Sequence, residues 1–176
     1  MGIKSTNDRY GSVAIVIHWL SAVLILALLV SGFKMSSVED SLLKASLLRA
    51  HLPLGIAICM LTVLRVIWWI FADRKPQPVK MPAWQRFAAS FIHGVLYVVI
   101  IGMIASGIGM MILSEAASIV FNSSGEGLPN FWDYAPRIPH GLGARFLIVL
   151  LALHIFGALY HQFITKDGVI RRMWFK

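Results

Sequence analysis

Residues 139–165 read PHGLGARFLIVLLALHIFGALYHQFIT. Arg145 is the one residue of this stretch with a permanent charge, and the stretch contains no acidic residue. A helix crosses the hydrocarbon of a bilayer in about 20 apolar residues, each rising about 1.5 Å. This run is long enough to do so. Residues 13–33, 50–72 and 87–113 form three further runs of the same kind. None of them alternates apolar and polar residues with period two, the pattern of a membrane β-barrel strand. The expected fold is all-α, an integral-membrane four-helix bundle. It forms one domain over residues 1–176, with helices at about 12–33, 48–72, 84–113 and 139–165. Charged residues make up only 14% of the chain, too few to cover the surface of a soluble domain.

The net charge of +8 invites a nucleic-acid reading, but the charges are distributed as in a membrane protein. An even number of spans puts both termini on one side. That side carries ten of the basic residues, including Arg74, Lys75, Lys166, Arg171 and Arg172. The other side carries five, namely Lys34, Lys44, Arg49, Arg137 and Arg145, and Arg65 lies inside the second span. Basic residues favour cytoplasmic loops, so both termini are expected in the cytoplasm of a multi-pass protein of the bacterial inner membrane. The lipid bilayer is the expected partner, and nucleic acid is not. The first apolar run is too long for a cleavable signal and should persist as the first helix. Cys59 is the single cysteine, which rules out an intrachain disulfide and suits a small apolar side chain.

The connections differ in character. Residues 34–49 form a polar linker in which Leu42, Leu43, Leu47 and Leu48 are spaced as in a short interfacial helix. Asp73-Arg74-Lys75-Pro76-Gln77-Pro78 ends the second span, and Pro82-Ala83-Trp84 opens the third. Residues 114–139 make the longest connection and are rich in Gly, Ser, Asn, Pro and aromatics. Loops of this length tend to carry function or structure of their own.

All six histidines, His18, His51, His93, His140, His154 and His161, fall in or at the edge of an apolar span. Ionisable groups at membrane depth are costly and mark function. An interhelical hydrogen bond explains one such residue more readily than six. His140 and His154 share the fourth span fourteen residues apart, which is about 21 Å along a helix and close to whole turns. They therefore face one way at two depths. His51, at the start of the second span, is level with His140, and His18 approaches the level of His154. Two separated pairs of neutral imidazoles suit two six-coordinate haems. Zinc would need three or four ligands gathered at one point. No Cys-x-x-Cys-His sequence is present, so both haems b would be non-covalent. Gly55, Gly141, Gly143, Gly157 and Ala158, near these histidines, would let a flat macrocycle approach the backbone.

Several stretches together resemble the bacterial cytochrome b561 family. They are Arg9-Tyr10 with Ile17-His18-Trp19-Leu20, Arg49-Ala50-His51-Leu52-Pro53-Leu54-Gly55, Leu64-Arg65-Val66-Ile67-Trp68 and His93-Gly94-Val95-Leu96-Tyr97. Leu153-His154, Ala158-Leu159-Tyr160-His161-Gln162-Phe163, Lys166-Asp167 and Arg171-Arg172-Met173 complete the set. The resemblance covers nearly the whole chain in order. It implies a di-haem, bis-histidine membrane cytochrome that oxidises superoxide at the periplasmic side and reduces ubiquinone in the membrane. The alternative is a membrane cytochrome b subunit that passes electrons between a periplasmic redox partner protein and quinone.

On that reading the iron ligands are His18, His51, His140 and His154. Arg65 is expected to pair with a haem propionate, His93 to contact a propionate or the quinone, and His161 to hydrogen-bond the quinone. Lys44, Arg49, Arg137 and Arg145 are expected to steer the superoxide anion to the haem edge.

Overall fold

The structure is a computed structural model describing residues 2–122 and 127–175. Among the described residues it is helical without strands. The elements in order are α1 (Ser12–Ser37), α2 (Ser41–Ile67), α3 (Ala83–Ser114), α4 (Ala116–Asn122), α5 (Arg137–Tyr160) and α6 (Val169–Arg172). Five-residue π-helical turns extend α2 through Trp68–Ala72 and α5 through His161–Thr165. With these extensions, α1, α2, α3 and α5 are all long and apolar enough to cross a membrane. Their apolar side chains stay largely outside the protein core: Val98 is 71% exposed and Ile112 is 70% exposed. A helix apolar on its outward face needs a lipid solvent.

Local chemistry sets the boundaries. Asp40 caps α2, its carboxylate accepting from the backbone N–H groups of Leu42 and Leu43 at 2.8 and 3.1 Å. No breaker separates this cap from the apolar run. The leucines expected in a separate interfacial helix are therefore the first turns of α2 itself, which starts at Ser41 rather than near 48. His51 consequently sits well inside the helix. At the end of α3 the Ser114 hydroxyl donates to Met110 O at 2.6 Å and accepts from Ala116 N. Glu115 steps into the left-handed region at φ 53°, and α4 begins immediately after it. The 114–139 connection thus holds a helix and a short 3-10 turn, Phe131–Asp133; residues 123–126 lie outside the described residues.

The chain forms two compact units. The first comprises Met1–Ala22, Leu61–Val98 and Leu147–Lys176, and its core includes Ala14, Ile15, Ile17, Leu96, Leu147 and Leu150. Both terminal segments are tied into it. Arg172 donates to the carbonyls of Asn7, Asp8 and Gln77 at 3.2, 2.7 and 2.8 Å, and the Trp19 indole donates to Met173 O at 2.8 Å. The second unit comprises Val23–Met60 and Val99–Phe146. Ile25, Leu48, Ile58, Met110, Ala116 and Val120 are buried in it.

Asp73 is the hub that holds the N-terminal segment. Its carboxylate accepts from Ser5 N, the Ser5 hydroxyl, the Trp68 indole and Arg74 N, all within 3.1 Å. Partial burial pushes its pKa up, but the hydrogen bonds from Ser5, Arg74 and Trp68 outweigh this and hold it below the usual carboxylate range. A depressed folded-state pKa contributes stability above the unfolded value of about 4, and that stability is lost as pH falls through the folded value. Protection of the Ser5 amide from hydrogen exchange should therefore hold from neutral pH to about pH 5 and fail only in stronger acid. Asp73→Ala should remove it at every pH and cost about 1–3 kcal/mol locally, since it strands the Trp68 and Ser5 donors. Unchanged protection in Asp73→Ala would show that the segment is held without Asp73, by the bonds of Arg9, Tyr10 and Arg172.

Candidate functional site

In the second unit, α2 and α5 bring His51 and His140 face to face, with ring centroids 6.5 Å apart and planes at 66°. Each ring is oriented by a serine. The Ser31 hydroxyl lies 3.1 Å from Leu28 O and 2.8 Å from His51 Nδ1, and so holds the ring by that nitrogen. Ser106 repeats the arrangement from α3: its hydroxyl lies 3.1 Å from Met103 O and 3.0 Å from His140 Nδ1. The His140 nitrogen also donates to Met103 O at 3.1 Å. A carbonyl can only accept, so His140 is the Nδ1–H tautomer, with its Nε2 lone pair free for a ligand. Both rings are tethered through Nδ1, which leaves Nε2 as the ligating atom.

The residue after each serine is a glycine beside the ring, and at Gly107 the missing Cβ makes room for it. A Cβ on Gly32 would lie 3.5 Å from His51 Cε1, and one on Gly107 would lie 3.3 Å from His140 Cε1. The second of these is tighter than ordinary packing allows. The sequence carries the signal as a Ser-Gly dipeptide recurring in two spans, Ser31-Gly32 and Ser106-Gly107, and the sequence reading missed it. Of the glycines it did select, Gly55 and Gly157 face open space, whereas Gly141 and Gly143 meet Arg137 and Met103.

The first unit holds a three-histidine cluster. His18 and His154 have ring centroids 6.2 Å apart, with planes at 59°. His93 stands edge-on to His154 at 5.0 Å and donates from Nδ1 to Ala89 O at 2.6 Å. Arg65 lies beside them, 3.5 Å from His18 Nδ1 and 5.8 Å above the Tyr97 ring. Its Nε is buried without a hydrogen-bond partner among the described residues, so an always-charged guanidinium retains an unused donor. No group of three or more His, Cys, Asp or Glu residues among those described could hold a metal ion in the manner of zinc.

Residues 9–176 match the family model of prokaryotic cytochrome b561. The chain belongs to that family. Relatives span its length: it is 29% identical to cytochrome b561 homolog 2 of Escherichia coli, covering 98% of this chain and 95% of that one. It is also 29% identical to cytochrome b561 homolog 1 of the same organism, covering 94% and 97%. A third relative, named "Probable superoxide oxidase CybB", from Yersinia pestis, is 26% identical over 95% and 96% of the two chains. Cytochrome b561 proteins are multi-pass bacterial membrane proteins that transfer electrons and bind haem b.

The histidines present fit such a group. Two imidazoles each bonded at about 2 Å to a shared metal hold their ring centres roughly 6 Å apart. The facing pairs stand at 6.5 and 6.2 Å. The 5.0 Å between His93 and His154 is too short for two imidazoles on opposite faces of one haem. The unused Arg65 Nε suits an anionic acceptor such as a propionate carboxylate.

The remaining candidates divide. His161, in the π turn after α5, lies 2.5 Å through Nδ1 from Asp167 Oδ2, the one ion-pair contact among the described residues. Lys166 and Gly168 both adopt the left-handed conformation, at φ 54° and 76°, and fold Asp167 back over His161. The Thr165 hydroxyl, 2.9 Å from Oδ2, and Val169 N, 3.2 Å from Oδ1, complete the carboxylate's shell. Burial pushes the Asp167 pKa up, but the bonds from His161, Thr165 and Val169 bring it below the carboxylate range. Asp167 is therefore an ionised acceptor, His161 donates from Nδ1, and Nε2 faces outward from the pair.

Among the four basic residues, Arg49 is committed elsewhere. It donates from Nε and Nη2 to Val120 O at 3.1 and 2.7 Å and so holds the end of α4. Arg137 lies 4.6 Å over the Trp132 ring. Arg145 is exposed and bonds only Gly141 O at 3.2 Å. Lys44 is half-buried.

Proposed function

We propose that this cytochrome b561 moves electrons across the bacterial inner membrane from periplasmic superoxide to ubiquinone, holding two non-covalent haems b with both termini in the cytoplasm. One haem is held by His51 and His140, the other by His18 and His154. The observation that carries the reading is the pair of metal-wide gaps between facing imidazoles. Bound there, haem supplies a one-electron redox centre with no open coordination position. Ser31 and Ser106 orient the ligands at one pair, and Arg65 neutralises a propionate near the other. His161, oriented through Nδ1 by Asp167, takes up a second proton on Nε2 from the aqueous side and passes it to a quinone oxygen as electrons reach the quinone. The name of the Yersinia pestis relative and the basic rim of Lys44, Arg137 and Arg145 support superoxide as the donor.

Purified, partner-free protein exposed to superoxide should show reduction in its haem absorbance within seconds. A long-range attraction between the rim and a small anion weakens with salt, so the rate should fall several-fold between about 10 and 150 mM ionic strength. Arg145→Glu should lower the low-salt rate by a similar factor and flatten its salt dependence. Arg49→Glu is the poorer probe because it also releases Val120. No reduction without an added protein would replace superoxide with a periplasmic redox partner as the donor.

A further inference from the structure

The first unit contains a cavity of about 560 Å³ that the electron-transfer reading leaves unused. It lies where α2 gives out, lined by the π-turn residues Trp69, Ile70 and Phe71 together with Lys4 and Arg74. Its volume falls in the range of small-molecule sites, about 300–1,000 Å³. We propose that it binds the headgroup phosphate of an anionic phospholipid, the acyl chains lying along Ile70 and Phe71.

The cavity joins two surfaces of opposite character at headgroup depth. Ile70 is 65% exposed and Phe71 is 81% exposed. They close a helix long enough to span the hydrocarbon, so their faces lie against acyl chains. The same lining carries two exposed cations, Lys4 and Arg74. Neither the Lys4 ammonium nor the Arg74 guanidinium has a hydrogen-bond or ion-pair partner among the described residues. Asp73 also lines the cavity, but Ser5, Trp68 and Arg74 N already occupy its carboxylate. Those neutral donors leave its charge in place, so the lining carries two positive charges against one negative and is net positive. A phosphate between cations with apolar chains beside it is the chemistry of a membrane phospholipid, and basic pockets at this depth take such headgroups. A headgroup bearing its own cation, such as choline, would bring like charge against Lys4 and Arg74. The site should therefore prefer a net-negative lipid such as phosphatidylglycerol.

The test titrates delipidated, full-length, haem-loaded protein with phosphatidylglycerol or phosphatidylcholine in mixed micelles. Bound lipid is counted by native mass spectrometry and thermal unfolding is followed in parallel. Phosphatidylglycerol should bind at least about tenfold more tightly than phosphatidylcholine and raise the unfolding temperature. Lys4→Gln with Arg74→Gln should weaken it about thirtyfold, the product of two headgroup-depth cations. Lys75→Gln with Lys80→Gln removes the same net charge outside the cavity and should change little. Equal losses in both double variants would overturn the proposal, because the attraction would then be general to the basic surface. Inorganic phosphate in phosphatidylcholine micelles should not reproduce the stabilisation. If it does, the occupant is a soluble anion and the lipid assignment is wrong.

Discussion

Alanine at His51 or at His140 is expected to remove one and the same haem and to leave the other in place. Each pair shares one metal-wide gap, 6.5 Å for His51–His140 and 6.2 Å for His18–His154 between ring centroids, so losing either member should abolish that site. The stoichiometry should fall from two haems per chain to one, read from the dithionite-reduced spectrum against protein concentration. His18→Ala and His154→Ala should delete the other component. His93→Ala should keep both, because its ring is too close to His154 for the two to ligate one haem from opposite faces. Ser31→Ala frees the Nδ1 side of His51 and should weaken haem binding about 10- to 100-fold without abolishing it, as outer-shell losses do at metal sites; Ser106→Ala should cost less, because Met103 O still accepts from His140 Nδ1. All colour should extract into acid acetone. The pairing fails if His18→Ala and His51→Ala deplete the same component.

The second large effect belongs to the His161–Asp167 pair. A positioned acid–base group contributes about 10²–10⁴-fold to a proton-transfer rate. His161→Ala should slow haem reoxidation by added ubiquinone by a factor of this order, with haem content unchanged. Asp167→Asn keeps the shape but removes the charge that compensates a ring protonated on both nitrogens, the form in which Nε2–H donates to a quinone oxygen. It should lose most of the same factor, and ¹⁵N-histidine spectra should report the changed protonation of the ring. Asp167→Glu should recover part of the rate. Wild-type reoxidation in Asp167→Asn alongside changed ring protonation would remove His161 from the proton path and leave it an interfacial residue.

The spans were plain in the sequence because twenty apolar residues in a row have few other uses. The histidines were plain because imidazole is costly in hydrocarbon unless something binds it. What stayed hidden depends on pairings across long sequence separations. The Arg49 guanidinium is spoken for by a carbonyl 71 residues away, and nothing beside Arg49 in the chain announces this. Ser31 and Ser106 read as ordinary small residues of apolar spans. Only with the ring nitrogens 2.8 and 3.0 Å from their hydroxyls does the repeated Ser-Gly dipeptide acquire meaning. The start of α2 was missed for a local reason. A single cap at Asp40 outweighed the polar character of the residues that follow it.

The two histidine pairs differ in how completely they are built before a cofactor arrives. His51 and His140 are locked by serine and backbone partners on their Nδ1 sides. His18 has only a long contact to Arg65, and His154 has no hydrogen bond among the described residues. Freezing a side chain on binding costs roughly 0.5–1.5 kcal/mol. Folding has already met that cost at the serine-tethered pair, whereas at the other pair it falls at the moment of capture. On the proposed two-haem reading, newly inserted apoprotein presents one finished socket and one that its occupant must finish, so the serine-tethered site is expected to fill first.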